Sequence, residues 1–174
     1  MGNSVLIRYL KTIMKIIYRL IIYVQKFILI AASLMLLIAM LGETTLRYIG
    51  DYSLLGIEEI IILIAYWLYF IGAAHGSCEK SHINADILHA FLKTKHLVII
   101  NTFICLISLG LTFLFTQWAY DYFTWSLQKQ PESPVFRYPL VWAQSSILFG
   151  FGLIVLYSII DCADKIRLLI NNYQ

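Results

Sequence analysis

Three stretches of this chain run the width of a membrane without a formally charged residue: 60–78, 97–120 and 138–160. A helix needs about 20 predominantly apolar residues to cross a hydrocarbon core of roughly 30 Å. A fourth stretch, 27–42, is shorter, and it reaches full length at 27–46 once Glu43 is included. Glu43 and Arg47 stand four apart, so they share a helix face and can pair, which lowers the cost of holding both near the membrane boundary. The sequence therefore predicts an all-α integral membrane protein. It has four transmembrane helices, at about 27–46, 60–78, 97–120 and 138–160, in a single membrane domain over 1–174. Composition agrees: 60% of residues are hydrophobic and 13% charged, against about 45–50% and about 25% in soluble domains. Too few polar residues are present to cover a soluble fold this small, and the chain is far too apolar for disorder.

Loop charge gives the orientation. Arg8, Lys11, Lys15, Arg19 and Lys26 precede the first span, Lys80, Lys93 and Lys95 fall in the second loop, and Lys165 and Arg167 follow the last span. The first and third loops hold only Arg47, Lys129 and Arg137. The excess predicts both termini in the cytoplasm of a multi-pass protein of the bacterial inner membrane. A cleaved signal peptide is not expected, because the basic region is spread out and no A-x-A site follows the apolar run. Instead, Arg8, Lys11, Lys15, Arg19 and Lys26 fall within an arc of about 80° on a helix. Val5, Leu6, Leu10, Ile13, Ile17 and Leu20 cover the rest. The pattern predicts an N-terminal amphipathic helix over 4–25, its basic stripe on anionic lipid headgroups. In the second loop His82, Asp86, His89, Lys93 and His96 form one polar stripe, and a short amphipathic cytoplasmic helix is expected over about 82–95.

Motifs of chemistry are sparse. Four histidines recur every seven residues at 75, 82, 89 and 96. Only His75 falls inside a span, at its end, so haem held between inward-facing histidines is not expected. His82, Asp86 and His89 have metal-compatible helical spacing but read as a solvated polar face. The three cysteines, Cys78, Cys105 and Cys162, form no C-x-x-C, and neither a disulfide scaffold nor a zinc site is expected. No P-loop or dinucleotide motif occurs, and the basic residues face membrane rather than nucleic acid. No catalytic residues, metal or cofactor are predicted, and the chain does not read as an enzyme. Intramembrane charges mark ion and substrate paths, and the middles of three spans have none. A self-contained four-helix cation exporter, acting as a homodimer with Glu43 as its carboxylate, is the competing reading.

Some features point to contacts. Glu58 and Glu59 open the second span, where the helix dipole favours carboxylates. Tyr66, Trp67 and Tyr69 lie mid-span and are expected to face protein, since their polar atoms need partners. Gly72, Ala73, Ala74 and Gly76 follow, and Gly150 and Gly152 lie in the last span. Such small residues permit close helix approach, inside this chain or against a second membrane protein.

Three stretches taken together resemble a known family. They are Leu46-Arg47-Tyr48; Glu58-Glu59 through Trp67, Phe70, Ile71, Gly72, Ala73 and Ala74 to His82, Ile83 and Asp86; and Ser133-Pro134-Val135-Phe136-Arg137-Tyr138-Pro139-Leu140-Val141-Trp142. Their order and spacing are similar to the DctQ-type small membrane subunit of tripartite ATP-independent periplasmic (TRAP) transporters. One departure stands out: Gly56-Ile57 precede the Glu pair where the family favours Trp, Ser or Thr. The resemblance implies an accessory permease subunit of a sodium-coupled, binding-protein-dependent importer of an organic acid. Its partners would be a large multispan membrane subunit and a periplasmic solute-binding protein. Under that reading Arg47, Glu58 and Glu59 order the periplasmic edge, Trp67 and Gly72 meet the large subunit, and His82 and Asp86 order the cytoplasmic turn.

Overall fold

In the computed structural model, residues 2–49, 56–79 and 94–173 are described. The described residues form four helices: α1 Gly2–Tyr48, α2 Ile57–Cys78, α3 Thr94–Lys129 and α4 Val141–Tyr173. Each is long and apolar enough to cross a membrane, and the chain is a multi-pass membrane protein. The expected short helix at 82–95, with His82 and Asp86, lies almost wholly outside the described residues.

The helices outrun the apolar stretches that announce them. No boundary separates an N-terminal helix over 4–25 from a span beginning at 27: α1 is continuous for 47 residues, about 70 Å at 1.5 Å per residue. Residues 3–41 contain neither glycine nor proline, so nothing breaks the hydrogen-bond ladder. α3 continues nine residues past Tyr120 to Lys129 and stops where Pro131 forbids another turn. α4 begins at Val141 rather than Tyr138, because Pro139 belongs to a turn whose neighbour Leu140 N–H donates to the Pro131 carbonyl at 2.8 Å.

α1 packs on α2, α2 on α4, and α4 on α3, while the backbones of α1 and α4 stay more than 8 Å apart. The order is thus α1–α2–α4–α3, an open succession rather than a closed four-helix bundle, with α4 the most buried member. An aromatic ladder threads it: Tyr66 stacks on Phe70, Phe70 meets Phe151, and Phe151 meets Phe115 of α3. Tyr69 departs from expectation. It is 71% exposed, because it points about 100° away from Phe70 on the same helix. The two glycines of α4 also differ. A Cβ on Gly150 would lie 2.7 Å from Phe70 Cβ and 2.8 Å from the Phe70 carbonyl oxygen, so α2 and α4 touch there. A Cβ on Gly152 would meet no described residue of another helix within 4 Å.

Candidate functional site

The most organised polar arrangement sits at the end of the molecule where α2 begins. Gly56 supplies its N-cap at φ 98°, without any side-chain cap. A Cβ there would lie 2.7 Å from the Phe136 ring and 2.9 Å from Val135. Glycine is required twice, for the left-handed backbone and for the space. The departure from Trp, Ser or Thr before the Glu pair thus has a local reason: the 131–140 loop lies directly on this residue.

Glu58 and Glu59 follow in the first turn and diverge. Glu58 Oε1 accepts from Arg47 Nη2 of α1 at 3.5 Å. Arg47 therefore reaches across to α2 rather than back to Glu43, the partner expected from spacing. Glu59 turns to the loop. Its carboxylate accepts from Ser133 Oγ at 2.6 Å, from the Val135 N–H at 2.8 Å and from the Phe136 N–H at 3.1 Å. The Tyr138 hydroxyl donates to the Glu59 main-chain carbonyl at 3.0 Å. The loop closes on itself through Ser133 N–H to the Tyr138 carbonyl at 3.0 Å and an isolated antiparallel bridge between Glu132 and Pro139. Arg137 adopts φ 51° at its tip, a conformation uncommon for a residue with a Cβ. One carboxylate thus gathers a whole loop and presents Val135, Phe136 and Arg137 to the surroundings, all three exposed. Charge-assisted hydrogen bonds of this kind are the stronger ones.

Midway along α2, Trp67 donates its indole N–H to the Trp142 carbonyl at 3.1 Å and lies against Phe149. The same side chain lines a lateral groove of about 400 Å³, walled by Phe27, Ala31, Ala32 and Met35 of α1 and by Leu63, Ile64 and Trp142. Trp67 therefore serves this chain's own packing and also borders an open apolar surface. Gly72 faces inward: a Cβ there would meet Leu29 Cδ2 of α1 at 3.6 Å.

At the opposite end lies a polar junction that the sequence reading missed. Gln25 is 2% exposed and accepts from the Tyr157 hydroxyl at 3.1 Å, while its Nε2 has no partner among the described residues. Tyr18 stands edge-on to Tyr157, and its hydroxyl is 3.1 Å from Cys78 Sγ. His75 Nε2 and Lys26 Nζ both approach Glu79, at 3.3 and 3.8 Å. The one signal available was a glutamine inside an apolar helix. Of the basic stripe, Arg8, Lys11, Lys15, Arg19 and Lys26 all lie on α1, and Lys15, Arg19 and Lys26 are exposed. Cys105 and Cys162, not expected to pair, form a disulfide between α3 and α4. Fifty-seven residues of sequence hide a proximity that only the packing of α3 on α4 creates. Among the described residues no group of three metal-ligating side chains converges. The arrangement can hold helices and a loop in fixed relation and offer surfaces to partners.

The family model described as "Tripartite ATP-independent periplasmic transporters, DctQ component" matches residues 36–168. That interval contains the Arg47, Glu58 and Glu59 arrangement, the 131–140 loop and Trp67. None of the curated proteins compared with the chain matches it.

Proposed function

The chain belongs to the DctQ component family of tripartite ATP-independent periplasmic transporters, and from that premise we propose that it is the scaffold of a sodium-coupled importer of organic acids. The family is one of transporter components rather than enzymes, and its small membrane subunit is what this chain is. In the proposed assembly a periplasmic solute-binding protein delivers a carboxylate or related anion, and a large multispan subunit moves it with sodium. The present chain holds that subunit's stationary part in the bacterial inner membrane. Both its termini face the cytoplasm, on the basic side of the chain.

The observation that carries this reading is that residues 60–78, 97–120 and 138–160 contain no Asp, Glu, Lys or Arg, and their one histidine, His75, lies at the end of its span. An ion or a charged solute crossing a membrane needs polar partners on its way. Three such spans support a path that runs through another protein. The open order of helices supports the same conclusion, since it leaves wide apolar faces for lipid and for a neighbour.

The parts divide accordingly. Arg47, Glu58 and Glu59 order the periplasmic edge, where the Val135–Arg137 tip meets the binding protein. Trp67 borders the face toward the large subunit, while Gly72 is engaged with α1. His82 and Asp86 order the cytoplasmic turn. Lys15, Arg19 and Lys26, with Arg8 and Lys11, rest on anionic headgroups along the N-terminal part of α1.

Co-expression with the neighbouring large membrane subunit, tagging this chain alone, tests the reading. A stable complex in mild detergent is expected, with substrate uptake in vesicles only when both subunits are present. Full-rate uptake by the large subunit alone would overturn it.

A further inference from the structure

Two ion pairs join α1 to the second helix, one near each end of their contact. Arg47 Nη2 lies 3.5 Å from Glu58 Oε1, and Lys26 Nζ lies 3.8 Å from Glu79 Oε1. Twenty-one residues separate Lys26 from Arg47, and twenty-one separate Glu58 from Glu79. Equal separations on antiparallel helices mean that both pairs obey a single register. At 1.5 Å per residue the two pairs stand about 31 Å apart, which is the thickness of a bilayer's hydrocarbon core, about 30 Å.

Their directions also agree. Helical side chains lean toward their own N-terminus. On two antiparallel helices the bases of α1 and the acids of α2 therefore lean toward one another. Between the pairs Gly72 faces Leu29 and Ala32 is buried, and small residues such as these let helices approach closely.

We propose that these two pairs act as a register clamp, fixing α1 at one height against α2 across the bilayer. Sliding α1 by one turn breaks both pairs together. Moved toward the Arg47 end, it drags Lys26 into hydrocarbon. Moved the other way, it drags Arg47 in. Each direction carries the cost of an unpaired charge in lipid. Exposed pairs contribute little to stability taken singly; their value here is that two of them, a membrane's width apart, agree on one register. The clamp also sets the height of the Glu59 loop at one end, and of the part of α1 that precedes Lys26 at the other.

Oxidative cross-linking tests the clamp in phosphatidylethanolamine–phosphatidylglycerol vesicles, with Cys78→Ser as background. Leu29→Cys with Gly72→Cys reports the native register. Leu29→Cys with Gly76→Cys, or with Leu68→Cys, reports a shift of one turn either way. The single reversals Lys26→Glu and Glu58→Arg are expected to lower the native cross-link about fivefold and raise a shifted one. The swaps Lys26→Glu with Glu79→Lys, and Arg47→Glu with Glu58→Arg, keep the charge on each side of the membrane and are expected to restore the native pattern. Rescue by the swaps of singles that fail to assemble supports the clamp equally. Native cross-linking within twofold in every single reversal, or no rescue by the swaps, overturns it. None of these readouts depends on transport or on a partner.

Discussion

Glu59 accepts from two main-chain N–H groups of one loop and from a serine hydroxyl beside them, and its neighbour Glu58 organises none of the same atoms. Consecutive residues on a helix point about 100° apart, so one carboxylate faces α1 and the other faces the 131–140 loop. Replacing Glu59 by Ala leaves Ser133 Oγ and the Val135 and Phe136 N–H groups without their acceptor. Amide hydrogen exchange at 135 and 136 is expected to accelerate by roughly tenfold or more, while Glu58→Ala leaves those amides as they were. Unchanged exchange in Glu59→Ala would mean that the turn closes without the carboxylate. The Glu pair was visible in the sequence as helix-opening acids. Its division of labour was not, because the acceptors' partners come from a loop more than seventy residues away. The glycines teach the same lesson. Gly150 and Gly152 read alike in sequence, yet only Gly150 touches Phe70. Gly150→Ala is expected to cost about 1–3 kcal/mol by overpacking, read as a fall in melting temperature in detergent, whereas Gly152→Ala leaves that temperature unchanged.

At the scale of elements, each apolar run falls inside one of the four long helices, save for 138–140 ahead of α4, and most of those helices extend past the run. A run ends where hydrocarbon stops tolerating the side chains, and a helix ends where the backbone meets a breaker. Those are different physical events, and α3 shows the gap: its polar segment from Asp121 to Lys129 remains helical up to the proline that follows. α1 shows it more strongly, since the expected change at residue 26 leaves no mark in a segment free of glycine and proline. The Tyr18 and Gln25 side chains already belong to the packed junction with α2 and α4, so α1 cannot leave the bundle before Tyr18. The attachment of α1 to α4 rests on side chains alone, and this gives a double-mutant test. Tyr157→Phe strands the Gln25 amide oxygen in a buried position and is expected to cost about 1–3 kcal/mol. Adding Gln25→Leu removes the stranded group and is expected to recover most of the loss, since replacing both partners by apolar groups is close to neutral. Thermal unfolding in detergent measures both. If the double variant is no more stable than Tyr157→Phe, the hydrogen bond is not what fastens α1 to α4.

For the whole molecule, the order α1–α2–α4–α3 matters more than any helix within it, and apolar runs do not encode which helices become neighbours. The sequence left Trp67 between two roles, internal packing or contact with a second membrane protein, and the structure gives it a share in both. Its indole N–H is satisfied internally by the Trp142 carbonyl, and part of its surface lines the groove beside α1. The two roles separate by substitution. Trp67→Phe loses the hydrogen bond but keeps an aromatic ring at the groove; Trp67→Ala loses both. If the groove receives the large subunit, Trp67→Ala is expected to lower the amount of large subunit retained by the tagged chain about tenfold or more, as a central aromatic anchor does. Trp67→Phe retains most of it, and Phe103→Ala, on the exposed surface of α3, retains all of it. The melting temperature of the isolated chain monitors internal packing in the same variants. Should Trp67→Ala lower that temperature while the complex stays intact, the tryptophan is internal packing alone and the large subunit docks on another face. The open order of helices makes that outcome informative as well, because the outer surface of α3 then becomes the next place to look.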